Sequence, residues 1–345
     1  MSERITDIGE FGLIRRIGDL LHKEGVRSER VTVGIGDDTA SFLPRPGQEL
    51  LVTCDCLVEG RHFLPGRISR FDLGRRAMAL NLSDIGAMGG RPLYALISLG
   101  LKGDLGVREI EELYRGFLKE LNPLNASIIG GNLTLSGNGL FIDITLLGEV
   151  AQGKGVRRSG AGSGDRILVT GYPGQAAAGL KLLLQGPDDL QLRGHPLVRA
   201  YNTPSHRALV GEAIAQAGLA TAMIDTSDGF LGDLNHICSE SQVGAELWVG
   251  QFPVSEELRQ AALGFHQDPD DFFLGPSDDY ELVITCRPEK VSLLRSAINS
   301  CCPVLLTEVG KITPVAGGIT LLFPDGERRP ADPVGWDHFR LGDNA

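Results

Sequence analysis

Six aspartates in a chain of 345 residues stand where no lysine or arginine adjoins them. Asp37 and Asp38 lie in "GIGDDTA" (34–40), Asp55 in the apolar run "LLVTCDCLV" (50–58), and Asp84 in "ALNLSDIGAMGGRP" (79–92). Asp225 and Asp228 flank Ser227 in "MIDTSDGFLGDL" (223–234). One such aspartate reads as an ordinary turn or helix cap. Six together strain that reading, because buried carboxylates are costly unless cations or hydrogen bonds compensate them. Hard oxygen donors suit Mg²⁺, which prefers few carboxylates supplemented by water and phosphate. The chemistry implied is therefore metal-assisted handling of phosphate.

Several familiar phosphate devices are missing. No G-x-x-x-x-G-K-[ST] loop occurs, and neither H-R-D nor D-F-G is present. The glycine-rich "GAGSG" (160–164) precedes a strand, the reverse of the order in a dinucleotide fingerprint. Backbone amides of glycine-rich turns remain as a way to hold a nucleotide beside Mg²⁺, and the 46 glycines supply many such turns.

The elements that must carry these residues alternate. The apolar spacing predicts helices over 8–24, 72–89 and 108–121, and strands near 31–33, 50–58 and 94–101. The strands "SIIGG" and "LFIDITLLGEV" are expected to bracket "GGNLT" (130–134). Residues 151–165 are polar, glycine-rich and aperiodic, which predicts a domain boundary there. Beyond it come the strand "RILVTG", the helix "GQAAAGLKLLL", a helix near 205–218 and the strand "AMID" leading into the helix after "TSDG". Further strands are read at "GAELWVG", "YELVIT" and within 303–323. The class expected is α/β (α+β), with domains at 1–152 and 153–345, in line with about 150 residues per domain.

Composition narrows the partners. Lys and Arg number 33 against 44 Asp and Glu, a net charge of −11, which argues against a nucleic-acid binder. Hydrophobic residues make up 42% of the chain, enough for real cores. No run approaches the roughly 18 apolar residues of a membrane span, and "MSERITDIGEFG" has no apolar signal core, so a cytoplasmic protein without membrane partners is expected. The six cysteines contain no C-x-x-C pair, and reduced thiols are the expectation.

Taken in order, "GIGDDTA", "DCLVEGRHF" (55–63), "ALNLSDIGAMGGRP", "GGNLT", "RSGAGSGD" (158–165), "MIDTSDGFLGDL" and "DDYEL" (278–282) resemble the thiamine-monophosphate kinase family. That family shares a superfamily with aminoimidazole ribonucleotide synthetase and selenophosphate synthetase. The resemblance spans nearly the whole chain, and "LVEGRHF" is its most specific part. It implies a two-domain aminoimidazole ribonucleotide synthetase-like fold. The N-terminal domain would be a mixed sheet with helices that binds ATP and Mg²⁺, and the C-terminal α/β domain would complete the nucleotide and substrate site. A homodimer through the N-terminal domains is also implied.

The resemblance carries over residue by residue. Asp38, Asp55, Asp84, Asp225 and Asp228 match Mg²⁺ ligands, and Thr53, Cys54 and Asn132 match positions that approach metal. Arg158, Ser227 and Tyr114 match contacts to ATP. His62, Asp278 and Trp336, the last in "GWDHF", match contacts to thiamine monophosphate. The implied reaction is direct in-line transfer from ATP to give thiamine diphosphate, with no phosphoenzyme. Because the acceptor is already an oxyanion, no general base is expected.

Three departures bear on this. Asn132 stands where the family commonly has Asp, Cys54 where it has Thr, and "GPSDDYEL" replaces "GGEDYEL", which places Asp278 and Pro276 in the substrate segment. A non-catalytic or divergent nucleotide-binding paralogue is the rival that Asn132 and "PSDD" favour. A relative that activates an amide or selenide with ATP is disfavoured by "LVEGRHF" and by the lack of a nucleophile-bearing N-terminal cysteine.

Overall fold

The computed structural model describes residues 3–186, 190–314 and 318–332, so Trp336 lies outside the described residues. The chain divides into two compact units, Met1–Ile85 with Gly90–Gly153, and Gly86–Gly89 with Lys154–Ala345. Both mix helices with sheet, which is the expected α/β (α+β) class. Among the described residues no helix is long and apolar enough to cross a membrane.

The first unit contains α1 (Ile5–Glu24), the short antiparallel pair β1 (Val31–Val33) and β2 (Ser41–Phe42), β3 (Gln48–Val58), α2 (Arg70–Ala87) and β4 (Arg91–Leu101). It continues with α3 (Val107–Leu121), β5 (Ser127–Leu135) and β6 (Phe141–Ala151). The main sheet has the order β3-β6-β4-β5, antiparallel except between β4 and β5. Alternation sorts its two faces. Ile97, Leu99, Ile142, Ile144 and Leu146 are buried, whereas Val52, Cys54 and Cys56 project from the opposite face and are exposed.

The helix α2 starts at Arg70 because Ser69 and Asp72 form a reciprocal cap: Asp72 N–H donates to Ser69 Oγ (3.0 Å), and Ser69 Oγ–H donates to Asp72 (2.7 Å). It crosses α3 at two glycines. A Cβ on Gly116 would lie 2.1 Å from the Phe71 carbonyl oxygen, and one on Gly74 would lie 2.1 Å from that of Leu113. The backbones touch there, and that contact sets the height of α2.

The second unit has a seven-stranded mixed sheet built from β7 (Arg166–Thr170), β8 (Ala220–Asp225), β9 (Gly244–Trp248), β10 (Leu282–Cys286), β11 (Leu306–Thr313), β12 (Ile319–Leu322) and β13 (Arg328–Pro330). Its order is β13-β12-β9-β11-β7-β10-β8. Its helices are α4 (Gln175–Gln185), α5 (Leu190–Gly194), α6 (Pro196–Asn202), α7 (Ala208–Ala217), α8 (Phe230–Ser241), α9 (Glu256–Phe265), α10 (Asp270–Phe273) and α11 (Val291–Cys301). Both faces of the sheet are covered. Ile167, Val169, Ile224 and Val283 pack with Phe230, Leu234 and Ile237 of α8, while Leu168, Met223 and Ile284 pack with Ile214 of α7 and Ile298 of α11. Central strands buried on both faces read as continuous apolar runs, as "RILVT" and "LVITC" do.

One local expectation is corrected. "GGNLT" does not separate strands: β5 runs through it as the parallel partner of β4, with Gly131 opposite Ile97 and Asn132 opposite Ser98. Gly116→Ala, which overpacks the α2–α3 crossing, should destabilise the protein by about 1–3 kcal/mol. Urea denaturation measures this, and an unchanged midpoint would show that the crossing is not close-packed.

Candidate functional site

In the first unit the predicted residues fall into two groups. Thr53 and Asp55 share one face of β3, and α2 lies against that face. The Thr53 hydroxyl donates to Asp84 Oδ2, and Asp55 N–H donates to Asn81 Oδ1 (3.2 Å), one helical turn before Asp84. Asn81 is fully buried and itself donates to the Ala77 carbonyl (3.2 Å), so it fixes the strand to the helix. Sequence reasoning missed this amide, although its place in "ALNLSD" was in view.

Cys54 and Asn132 belong to the other face. Cys54 Sγ–H donates to Asp143 Oδ1 (3.3 Å), and the ladder aligns Cys56, Asp143, Ser98 and Asn132 in one row. The structure therefore brings Thr53, Asp55 and Asp84 together and sends the Cys54 and Asn132 side chains to the opposite side of the sheet. Asp38 is exposed in the turn after β1, where its N–H bonds to Asp37 Oδ1 (2.8 Å).

His62 closes the turn after β3. Its backbone N–H donates to the Val58 carbonyl (3.0 Å), and Val58 N–H donates to His62 Nδ1 (3.0 Å). Accepting at Nδ1 assigns the proton of the neutral ring to Nε2, which makes that atom the donor. Tyr114 lies in α3, 4% exposed and edge-on to Phe117 with ring centroids 5.2 Å apart. Burial pushes its phenol well above the ordinary range. Its surroundings are those of a core residue.

In the second unit, β8 ends at Asp225 and α8 begins at Phe230, so the turn Thr226–Gly229 delivers Ser227 and Asp228 to the end of the sheet. Asp228 N–H and Gly229 N–H both donate to Asp233 Oδ2 (3.1 Å each), one turn into α8. Gly229 has φ 125°, and a Cβ there would lie 2.7 Å from the Gly275 carbonyl oxygen, so this turn requires glycine. Asp233 is pushed up to about 8, first by burial and then by the negative charge of Asp225, against the pull of the two amides. Negative charge is crowded at this turn. Among the described residues, however, no three His, Cys, Asp or Glu side chains stand arranged to enclose a metal ion.

Arg158 runs beside the same strand. Met223 N–H, two residues before Asp225, donates to the Arg157 carbonyl (3.0 Å), which sets Arg158 along the edge of β8. Ser241, at the end of α8, holds this loop: Gly160 and Ala161 N–H donate to its Oγ (3.1 Å each), and its hydroxyl donates to the Arg158 carbonyl (3.1 Å).

The segment 277–281 is mostly buried. Ser277, Asp279, Tyr280 and Glu281 are all buried, and only Asp278 of the segment is half-buried. Asp279 accepts from Gly174 N–H (2.6 Å) and Ala176 N–H (2.8 Å), and Ser277 Oγ accepts from Ala177 N–H (3.1 Å), so the segment caps the start of α4. These anchors, unseen in the sequence, fix the position of Asp278.

The family models "AIR synthase related protein, N-terminal domain" and "AIR synthase related protein, C-terminal domain" match residues 36–150 and 162–320, so the two units have the two-domain α/β fold of that class. The thiamine-monophosphate kinase of Escherichia coli (strain K12) is 37% identical over 339 residues, 96% of this chain and 98% of that protein. The crystal structure of thiamine-monophosphate kinase from Stenotrophomonas maltophilia K279a is 34% identical, covers 93% of this chain and 98% of that chain, and superposes with a TM-score of 0.80. The structure of AaThiL complexed with AMPPCP and TMP is 32% identical, covers 98% and 100%, and gives a TM-score of 0.75. The chain belongs to the thiamine-monophosphate kinase family, a family of enzymes.

Burial raises Asp279 from the ordinary 3.8 to about 6, against the pull of the Ala176 and Gly174 amides. A raised folded value favours the protonated form, so this contribution to stability is full below about pH 4 and is lost as pH rises through about 6. The stability of the wild type relative to Asp279→Asn should therefore decline between pH 4 and pH 7 in urea denaturation. A difference that stays flat across that window would contradict the assignment.

Proposed function

We propose that this protein transfers the γ-phosphoryl group of ATP to thiamine monophosphate, giving thiamine diphosphate and ADP by direct in-line displacement with Mg²⁺. The observation that carries the reading is the likeness, over 98% of the chain, to AaThiL complexed with AMPPCP and TMP. The acceptor is already an oxyanion, so no residue is needed to remove a proton from it. The difficulty is the approach of two polyanions, whose repulsion is severe in a low-dielectric site.

The donor chemistry fits Mg²⁺. The side chains concerned offer oxygen only, and the crowded charge that raises Asp233 is what a cation would relieve. Within the second unit Asp225 and Asp228 are the residues that would hold Mg²⁺, and within the first unit they are Asp55, Asp84, Thr53 and the exposed Asp38. When bound, Mg²⁺ neutralises phosphate charge and aligns donor with acceptor. Cys54 contributes through its backbone at most, since its side chain faces Asp143. Asn132 shares that opposite face.

The remaining roles belong to binding and orientation. Arg158 and Ser227 hold the nucleotide, with the Arg158 loop fastened by Ser241. His62 donates from Nε2 to the acceptor phosphate, Asp278 meets the acceptor from its capped segment, and Trp336, outside the described residues, is the candidate to meet the cationic thiazolium ring, a cation–π attraction worth about 0.5–2 kcal/mol. Tyr114 is left to packing. The open face of the first sheet, with Val52 65% exposed, suits a second copy of the chain, and a cytoplasmic homodimer is part of this proposal.

The direct test is an assay of the purified chain with ATP, Mg²⁺ and thiamine monophosphate. Formation of thiamine diphosphate is expected, and Asp225→Asn and Asp55→Asn should each lower turnover by about 10²–10³ while remaining folded. ATP binding without turnover in the wild type would favour the non-catalytic paralogue instead.

A further inference from the structure

We propose that the buried Arg207–Glu281 pair is a positioning latch for the turn that carries Asp225, Ser227 and Asp228. Arg207, just ahead of α7, meets Glu281 in a two-pronged contact, with Nε–H to Oε2 at 2.6 Å and Nη2–H to Oε1 at 2.5 Å. The side chains are only 19% and 9% exposed. The Thr170 hydroxyl, at the end of β7, also donates to Glu281 Oε2, and Thr170 Oγ1 accepts from Leu282 N–H (2.8 Å). Gly171 has φ 59°, and a Cβ there would lie 1.9 Å from Glu281 Oε1, so the carboxylate rests on bare backbone. Its position is closed from three directions.

The backbone of the same residue grips the turn. Thr226 N–H donates to the Glu281 carbonyl (2.8 Å), Glu281 N–H donates to Thr226 Oγ1 (3.0 Å), and Tyr280 N–H donates to the Thr226 carbonyl (2.8 Å). Tyr280 takes φ 56°, a left-handed conformation unusual for a bulky residue, and this lets consecutive amides reach one threonine. Thr226 stands between Asp225 and Ser227, so whatever fixes Glu281 fixes both neighbours.

Stability alone does not call for this arrangement. Removing two charges from water costs about as much as their attraction returns, and well-packed apolar residues often replace a buried ion pair without loss of stability. A bidentate guanidinium–carboxylate contact instead supplies a fixed geometry that a lysine ammonium cannot copy. Neither side chain is assigned a contact to substrate, so both are positioning residues. Their role rests on the kinase reading of Asp225, Ser227 and Asp228 above.

The experiment compares the full-length wild type with Arg207→Lys, with Glu281→Gln as a second variant should the first fail to fold. Ile298→Ala, in the core around α11, serves as a destabilised control. The latch predicts that the Mg²⁺ concentration for half-maximal rate rises about 10-fold or more in the latch variant, that raised Mg²⁺ recovers part of the rate, and that the control stays within about twofold of wild type. Amide exchange should quicken at Thr226, Tyr280 and Glu281 more than elsewhere in the second unit. A folded latch variant with wild-type Mg²⁺ requirement and wild-type protection at those amides would overturn the proposal. If the wild type fails to phosphorylate thiamine monophosphate, the kinase reading falls by itself. Mn²⁺ binding followed by electron paramagnetic resonance then decides the latch, with about 10-fold weaker binding in the variant supporting it and unchanged binding refuting it.

Discussion

Carboxylates that are to meet a cation and phosphates must be held near one another before the cation arrives, and they repel. That constraint runs through the second unit. Asp233 is driven up to about 8 by burial and by Asp225, yet two backbone amides still point at it. The repulsion is tolerable because the backbone is immobilised on both sides. The strand β8 is paired along β10, and the turn after it is gripped at Thr226 by residues 280–281. Side-chain flexibility would relax such a cluster, whereas a closed network of main-chain bonds does not.

The same economy of anchoring recurs in the segment 277–281. Ser277 and Asp279 are committed to the start of α4, and Glu281 to Arg207 and Thr170. These neighbours fix the chain on either side of Asp278. In the first unit the corresponding anchor is Asn81, which ties β3 to α2 so that Thr53 and Asp84 meet. The glycine crossing of α2 with α3 sets the height of that helix.

Much of this was legible in the residues. The strand β8, the helix α8, the strand carrying Asp55 and the helix carrying Asp84 followed from apolar runs and helical spacing, although only Leu57 of β3 is buried. Asn132 was not placed correctly on spacing alone: paired glycines read as a break, but β4 supplies a parallel partner that carries β5 through them. The helix α9 was missed although Ser255, whose Oγ accepts from Leu258 N–H (3.2 Å), precedes two glutamates, a visible start signal. The Arg207–Glu281 contact joins residues 74 positions apart, and no local pattern announces such a pair. Local order was readable; tertiary anchoring was not.

The central claim is that phosphoryl transfer goes straight from ATP to the acceptor phosphate, with the chain's carboxylates positioning charge and never carrying the phosphoryl group. The stereochemical course at phosphorus tests it most directly. With ATP made chiral at the γ-phosphorus by oxygen isotopes and thiamine monophosphate as acceptor, a single in-line displacement inverts configuration in the thiamine diphosphate formed. Inversion is the predicted result. Retention would require two successive displacements through a phosphorylated residue and would contradict the account.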